Sequence, residues 1–585
     1  MTASIDPITA AVIQGALENI AIEMGHKLMR MSYSSIIRES EDFGAALTDA
    51  EGNQLCECKM STPLQSGPIP GYIRGVRRAM AARGEEIRPG DVILHNDPYG
   101  GASHGPDIAF VIPIFLDGAL VAFSVTTAHH LDVGAATPGS AGIVEAVDAY
   151  AEGLQFKAIK VVDEGRTNRA IWQILRDNIR ASALVVGDME AQIKAAEIGA
   201  ARFLELADRY GIAAIRAAAA DLMDYSERLM RAAIAALPDG TYTAEGIYDG
   251  YSDDPDPSRR DLPIKVAVTV AGDEITIDLI GTADQVPDRP INMPFEGTTD
   301  CAIWLTLRSI LLDSAEFGEV PQNAGLTRPI HIVAPKGCIA NPIFPAPTIA
   351  RFTPGNAMAD TMMRALSQVV PEKVSAGVGN LRVVSFSGLR RGAHWVHMEI
   401  LEGAYGGRHG MNGMDAVDTL YANTRNNPVE DIETHLPIRV ERYELRSDAP
   451  AAGEWRGGIG SVREFTMLTD GAFSVEGDGH GQRPWPYGAG EPGRPGELTL
   501  ARADGATEPL PSKVAYHTAR AGDRIVALGP NGGGYGDPRA RDPEAVLEDV
   551  RDGYLSAETA LVVYGVAISG DAVDAAATAA WRAAR

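Results

Sequence analysis

Residues 104–132 read HGPDIAFVIPIFLDGALVAFSVTTAHHLD, two apolar runs on either side of Asp117-Gly118. An Asp-Gly pair between runs of β-branched and aromatic residues is a strong hairpin signal, because the tight turn needs backbone that Gly adopts at little steric cost. Antiparallel pairing about that turn predicts Asp107 near Ala128 and His104 near Leu131. The polar ends, His104-Gly105-Pro106-Asp107 and His129-His130-Leu131-Asp132, then share the open mouth of one hairpin. Imidazoles and carboxylates gathered there suit a borderline or moderately hard divalent ion such as Zn, Mn or Fe, and the lack of a thiolate favours a labile catalytic site over structural zinc. The same histidines could instead cap strand ends or bond backbone carbonyls.

Upstream, Val92-Ile93-Leu94 reads as a strand that must turn sharply through His95-Asn96-Asp97-Pro98-Tyr99-Gly100-Gly101. Asn96 and Asp97 could orient a ligand or substrate there, or serve only as turn residues. Asp6-Pro7 opens a helix in which Ile8, Val12, Ile13, Leu17, Ile20, Met24 and Leu28 recur at three- and four-residue spacing, ending near Met31. An acidic cluster, Glu39-Ser40-Glu41-Asp42-Phe43, follows it. Alone, such acids are most often surface residues.

Downstream, residues 188–237 return to helical patterning broken near Tyr210-Gly211 and ended by Pro238-Asp239-Gly240. Runs at 264–270 and 275–279 alternate about Gly272-Asp273 as a second hairpin, 440–538 is dense in Gly and Pro with short β-like runs, and the stretch from Pro543 is Ala-rich and helical. The expected fold is α+β: a large mixed α/β body with a metal site at the mouth of a β-hairpin, a helical insert and a mostly β C-terminal region. The expected divisions are 1–187, 188–237, 238–439, 440–540 and a helical tail at 541–585.

A formal charge of −26 argues against binding a phosphate backbone. No apolar stretch is long enough to span a bilayer, and the first residues lack a basic and apolar leader, so a cytoplasmic protein is expected. Cys56-Glu57-Cys58 has one residue between its thiols, where zinc and redox pairs usually have two, which favours structural or incidental thiols. No Gly-Lys dipeptide occurs anywhere, so a phosphate-binding P-loop is absent and no nucleotide site is expected in this chain. The glycine clusters at 457–460 and 532–536 are better explained as loops than as a dinucleotide unit. His409, Asp415, His435 and His480 could line a pocket, although surface or loop positions are the simpler account.

The ordered set Arg38 to Phe43, Pro89-Gly90-Asp91, Asn96 to Tyr99, His104 to Asp107, His129 to Asp132 and Pro138-Gly139-Ser140 resembles the signature of the hydantoinase B/oxoprolinase family. Glu152-Gly153, Asn178-Ile179-Arg180, Gly187-Asp188, Asn426 to Glu430, Arg456-Gly457-Gly458 and Gly532 to Pro538 extend the likeness over nearly the whole chain. The resemblance implies a metal held by Asp42, His104, Asp107 and His129, with His130, Asp132 and Asn96 as neighbours or alternative ligands and Asp107, Asp132 and Asp97 as candidate catalytic residues, Asp107 or Asp132 taking a proton from water. It also implies a hetero-oligomer in which a hydantoinase A-type partner binds ATP and phosphorylates a cyclic amide, which this chain then hydrolyses. A ketone carboxylase of the same type is the nearest competitor, followed by a non-catalytic scaffold with a structural metal and by an ATP-independent metallohydrolase.

Overall fold

The computed structural model describes residues 6–447 and 450–584. Helix α1 (Pro7–Met31) starts where Asp6 accepts the Thr9 N–H at 2.9 Å, and it buries Ile13, Leu17, Ile20, Met24 and Leu28. Ile8 and Val12 share the apolar spacing but are exposed, because the first two turns run past the packed part of the molecule. The short α2 (Ser35–Arg38) then delivers the chain to β1 (Phe43–Asp49), β2 (Gln54–Glu57), the single turn α3 (Pro63–Ser66), α4 (Ile69–Arg83) and β3 (Val92–His95).

The hairpin forms β4 (Asp107–Leu116) and β5 (Ala119–His129), with Asp117 and Gly118 both at positive φ as its two-residue turn requires. With β6 (Ile159–Asp163) and β7 (Arg166–Thr167) the strands make one antiparallel sheet in the order β2-β1-β5-β4-β3-β6-β7. Both faces of its centre are covered, which is why these strands read as nearly continuous apolar runs. Ala109 and Val111 pack toward α4 with Tyr72 and Val76. Ile108, Phe110 and Ile112 pack toward α5 (Arg169–Asn178) and α6 (Ser182–Tyr210) with Trp172 and Met189. Helix α6 begins earlier than residue 188, just after Ala181 at positive φ, and Gly211 separates it from α7 (Ile212–Ala235).

A second sheet, β8 (Gly240–Asp249), β9 (Asp261–Ala271) and β10 (Glu274–Asp278), contains the hairpin expected at Gly272-Asp273. After α8 (Asp300–Leu311) and α9 (Ser314–Phe317), β11 (Ile330–Val333) joins it in parallel to β10. The loop that follows leads to α10 (Phe352–Leu366), which packs on β8 and β9. Strands β12 (Arg382–Arg390) and β13 (Ala393–Leu401) precede α11 (Val429–His435), β14 (Ile438–Leu445), β15 (Ser461–Met467), β16 (Gly471–Glu476), β17 (Glu497–Ala501), β18 (Thr507–Leu510), β19 (Val514–Ala519) and β20 (Arg524–Leu528). They form sheets β13-β12-β16-β19 and β14-β15-β20-β17-β18 around a shared core that includes Phe386, Phe465 and Phe473. The Gly-rich segments lie backbone against backbone: a β-carbon at Gly532 would come within 2.1 Å of the Tyr405 carbonyl oxygen. Close approach of one backbone segment to another requires glycine there. The C-terminal stretch is helical apart from a small hairpin at Ile568–Ser569 and Ala572–Val573. Among the described residues no helix is long and apolar enough to cross a membrane.

Candidate metal centre

Asp107 stands directly opposite His129, not Ala128. Ile114 pairs with Ala122 and Phe115 with Leu120, leaving Val121 as an extra residue in β5, and this bulge moves the register by one. The shift decides which histidine joins the site, since alternate side chains in a strand point to opposite faces. Asp107 and His129 share one face of the sheet. His130 takes the other, with Nε2 2.9 Å from Gln192 Oε1 of α6. His104, on the loop before β4, meets His129 instead of Leu131: His104 Nε2 is 3.2 Å from His129 Nδ1.

Both imidazoles converge on one carboxylate oxygen. Asp107 Oδ1 lies 3.0 Å from His104 Nε2 and 2.9 Å from His129 Nδ1. The group His104, Asp107 and His129 is buried throughout. Ligands about 2.0–2.1 Å from a tetrahedral Zn stand roughly 3.3 Å from one another, so these spacings differ from a closed coordination shell by only tenths of an ångström. The protonation pattern supports the same occupant. His104 Nδ1 lies 2.8 Å from the Ile349 carbonyl and must donate to it, which leaves the Nε2 lone pair facing Asp107. Burial and the nearby Arg351 guanidinium push His104 down to about 4, so its ring carries no second proton at neutral pH. A lone pair facing a carboxylate is repulsive until a cation accepts both, and the residues present therefore fit a divalent ion.

Supporting contacts hold each donor in place. Arg351, at the start of α10, donates from Nη2 to Asp107 Oδ2 at 2.9 Å and to Ser103 Oγ at 2.8 Å, while Ser103 donates to Asp107 Oδ2. Gln65 Nε2 donates to Asp107 Oδ1 at 2.9 Å, and the Tyr72 hydroxyl donates to the Asp107 carbonyl at 2.7 Å. Burial alone would raise the Asp107 carboxyl, but His104, Arg351 and His129 together hold it well below the usual carboxylate range. His129 Nε2 lies 2.7 Å from Ser140 Oγ. Asp42 is buried beside the group, not within it: its Oδ1 accepts from Thr62 Oγ1 at 3.1 Å, its carbonyl accepts the His129 N–H at 3.2 Å, and burial pushes its carboxyl up to about 6.

Glu152 acts one layer further out. Its Oε1 accepts the N–H groups of Thr348 and Ile349, both at 2.5 Å, and so positions the Ile349 carbonyl that orients His104. Glu152→Ala is expected to weaken metal binding by about 10–100-fold, the usual effect of losing an outer partner, whereas Glu152→Gln keeps an acceptor and should retain it; competition with a chromogenic chelator reads both. Burial pushes Glu152 up to about 8. Between the ordinary carboxylate range and that value the native state holds a proton that the unfolded state has lost, so this group's contribution to stability falls as pH rises through the window. Thermal melts should accordingly show Glu152→Gln gaining on the wild type at pH about 8.5 relative to pH about 5.

The remaining candidates are placed elsewhere. Asn96 donates to the Gly105 and Leu154 carbonyls and accepts the Phe156 N–H, bracing the loop that carries His104. Asp97 accepts the Tyr99 N–H and faces Lys157 at 3.5 Å. Asp132 accepts from the N–H groups of Gly134 and Arg180 and from the Arg180 guanidinium, so it organises the loop after β5. His409 and His435 are exposed, Asp415 pairs with Arg456 at 2.9 Å, and the His480 backbone N–H donates to Asp249 at 2.7 Å. All four cysteines are buried free thiols.

Arg351 and Gln65 carry no sequence signal that singles them out, and Glu152 is marked only as part of the Glu152-Gly153 match to the family signature, which does not give its role. Gly101-Ala102-Ser103-His104-Gly105 does spell Gly-x-Ser-x-Gly, the pattern of a serine-nucleophile elbow. Here it precedes a strand, and the Ser103 hydroxyl donates to a carboxylate.

The sequence profile of the hydantoinase B/oxoprolinase family matches residues 6–538. A protein of Pseudomonas sp. (strain NS671), provisionally named as the B component of a D-/L-hydantoinase, is 63% identical over 97% of this chain and 96% of its own length. The beta component of the caprolactamase of Pseudomonas jessenii is 34% identical over 99% of this chain and 100% of its own. The crystal structure of the ATP-dependent caprolactamase from Pseudomonas jessenii superposes with a TM-score of 0.87 at 32% identity, covering 99% of this chain and 100% of that one. A nucleotide-free acetone carboxylase structure also superposes with a TM-score of 0.87, covering 99% of this chain and 83% of that one; at 18% identity it shares the fold. This chain belongs to the hydantoinase B/oxoprolinase family.

Proposed function

We propose that the chain is the metal-dependent hydrolytic subunit of a two-component, ATP-dependent cyclic-amide hydrolase. The observation that carries this reading is the meeting of His104 Nε2, His129 Nδ1 and Asp107 Oδ1 in one buried group whose other atoms are already engaged by the protein. The relatives named as components of a hydantoinase and of a caprolactamase favour amide substrates and a partner subunit. The lack of any Gly-Lys dipeptide favours a hydantoinase A-type partner as the site of ATP.

In this scheme the partner transfers the γ-phosphoryl group of ATP to the ring carbonyl oxygen. Water adds to the activated carbon, the ring C–N bond breaks with the nitrogen taking a proton, and a further water releases phosphate from the acyl phosphate that remains. His104, Asp107 and His129, with Asp42 beside them, would hold a divalent cation, which would supply Lewis acidity toward the carbonyl and toward water. The Ile349 carbonyl and Ser140 fix the two imidazoles, Arg351 and Gln65 fix Asp107, and burial keeps bulk water from the group.

The test is an assay of the chain co-expressed with its partner subunit. With ATP and hydantoin it should form ADP and the ring-opened acid together. ADP formation that requires bicarbonate and a ketone, with no ring opening, would replace this reading with a carboxylase. Full ring opening without ATP would make the chain a self-sufficient hydrolase.

A further inference from the structure

A cavity of about 700 Å³ opens between α1, β2, α3 and α8. This is the volume of a small-molecule site. Only one turn of helix separates it from the triad. On one side of that turn Thr62 and Gln65, three residues apart, bond Asp42 and Asp107. On the other, Pro63 and Ser66, also three apart, line the cavity.

The cavity wall carries polar groups with unspent hydrogen-bonding capacity. Arg308 of α8 makes no ion pair among the described residues; its Nη2 donates to the Val320 carbonyl at 3.2 Å and its buried Nε has no partner. Gln322 lines the same cavity, and its buried Oε1 also lacks a partner. Glu57 lies near Arg308 without contacting it, and Gln54 Nε2 donates to its Oε2 at 2.6 Å; burial raises its carboxyl. Native proteins rarely leave buried groups of this kind unsatisfied, and a ligand that meets them relieves the cost.

We propose that this cavity binds a small carboxylate bearing an amide or ureide N–H, with Arg308 receiving the carboxylate and Gln322 Oε1 the N–H. A guanidinium with free N–H groups selects a planar oxyanion, and an amide oxygen without a donor selects an N–H. Hydrolysis of a ring amide puts hydroxyl on the carbonyl carbon and hydrogen on nitrogen, so the ring-opened form of a cyclic ureide carries both groups. The assignment rests on the proposed hydrolytic reading and adds to it a second place, outside the triad, where an acid of this kind is held.

The test is calorimetric titration of the full-length, metal-loaded chain with N-carbamoylglycine, its methyl ester and acetate. The acid should bind more tightly than either control. Arg308→Met should weaken it by at least about tenfold, and Gln322→Leu should weaken the acid while leaving acetate unchanged. Arg308→Lys, which preserves the charge, guards against a folding artefact and should fall between Met and wild type. Equal binding of acid and ester, unchanged affinity in Arg308→Met, or no binding of N-carbamoylglycine would overturn the assignment. Metal content measured on the same samples separates the two readings: a chain that holds its ion at the triad yet ignores Arg308 sinks only the cavity.

Discussion

Asp107→Ala is expected to destabilise the chain by about 3–5 kcal/mol, the cost of leaving a buried charge without its partner, and to abolish metal binding. The charge left behind is Arg351, whose guanidinium is almost fully buried and whose Nη2 is shared between Asp107 and Ser103. Gln65 and Tyr72 would lose their acceptor or its alignment at the same time. Asp107→Asn separates the effects, since it keeps the shape and one oxygen while removing the charge. It should recover part of the stability and none of the metal affinity. Urea denaturation read beside elemental analysis checks both, and wild-type stability in Asp107→Ala would remove the Arg351–Asp107 pair from the account.

The second large effect is on turnover. His104→Ala and His129→Ala should each lower ATP-dependent ring opening by about a thousandfold, because Lewis-acid stabilisation contributes several kcal/mol and each 1.36 kcal/mol is a factor of ten. Neither substitution strands a buried charge, so both variants should fold and join the partner. A scaffold whose metal only braces the fold predicts the opposite: a lower melting temperature with turnover intact in whatever assembles. Steady-state rates measured on complexes of confirmed stoichiometry decide between them.

The hairpin was legible because its turn chemistry and apolar runs are local, and both observed strands follow from them. Its register was not, because Val121 is one more β-favouring residue in a run of them and nothing nearby marks it as the bulge. That single residue moves His129 onto the Asp107 face and His130 onto α6. Helix α1 was readable from its cap to its last turn, yet its spacing could not show that Ile8 and Val12 lie beyond the packed layer. Arg351 and Glu152 reach the site from 244 and 45 residues beyond Asp107, through a loop and a short turn with no periodic signal. Their roles exist only once the chain is folded. Asp132 and Asp97 looked equally chemical in sequence, and the fold commits them to backbone N–H groups.

The measurement that bears most directly on the central claim is anomalous scattering from crystals of the active, metal-replete complex. A divalent ion bonded to His104 Nε2, Asp107 Oδ1 and His129 Nδ1, lost together with turnover on chelation and regained with it, is the expected result. Full activity in protein with no anomalous peak between those atoms would contradict it.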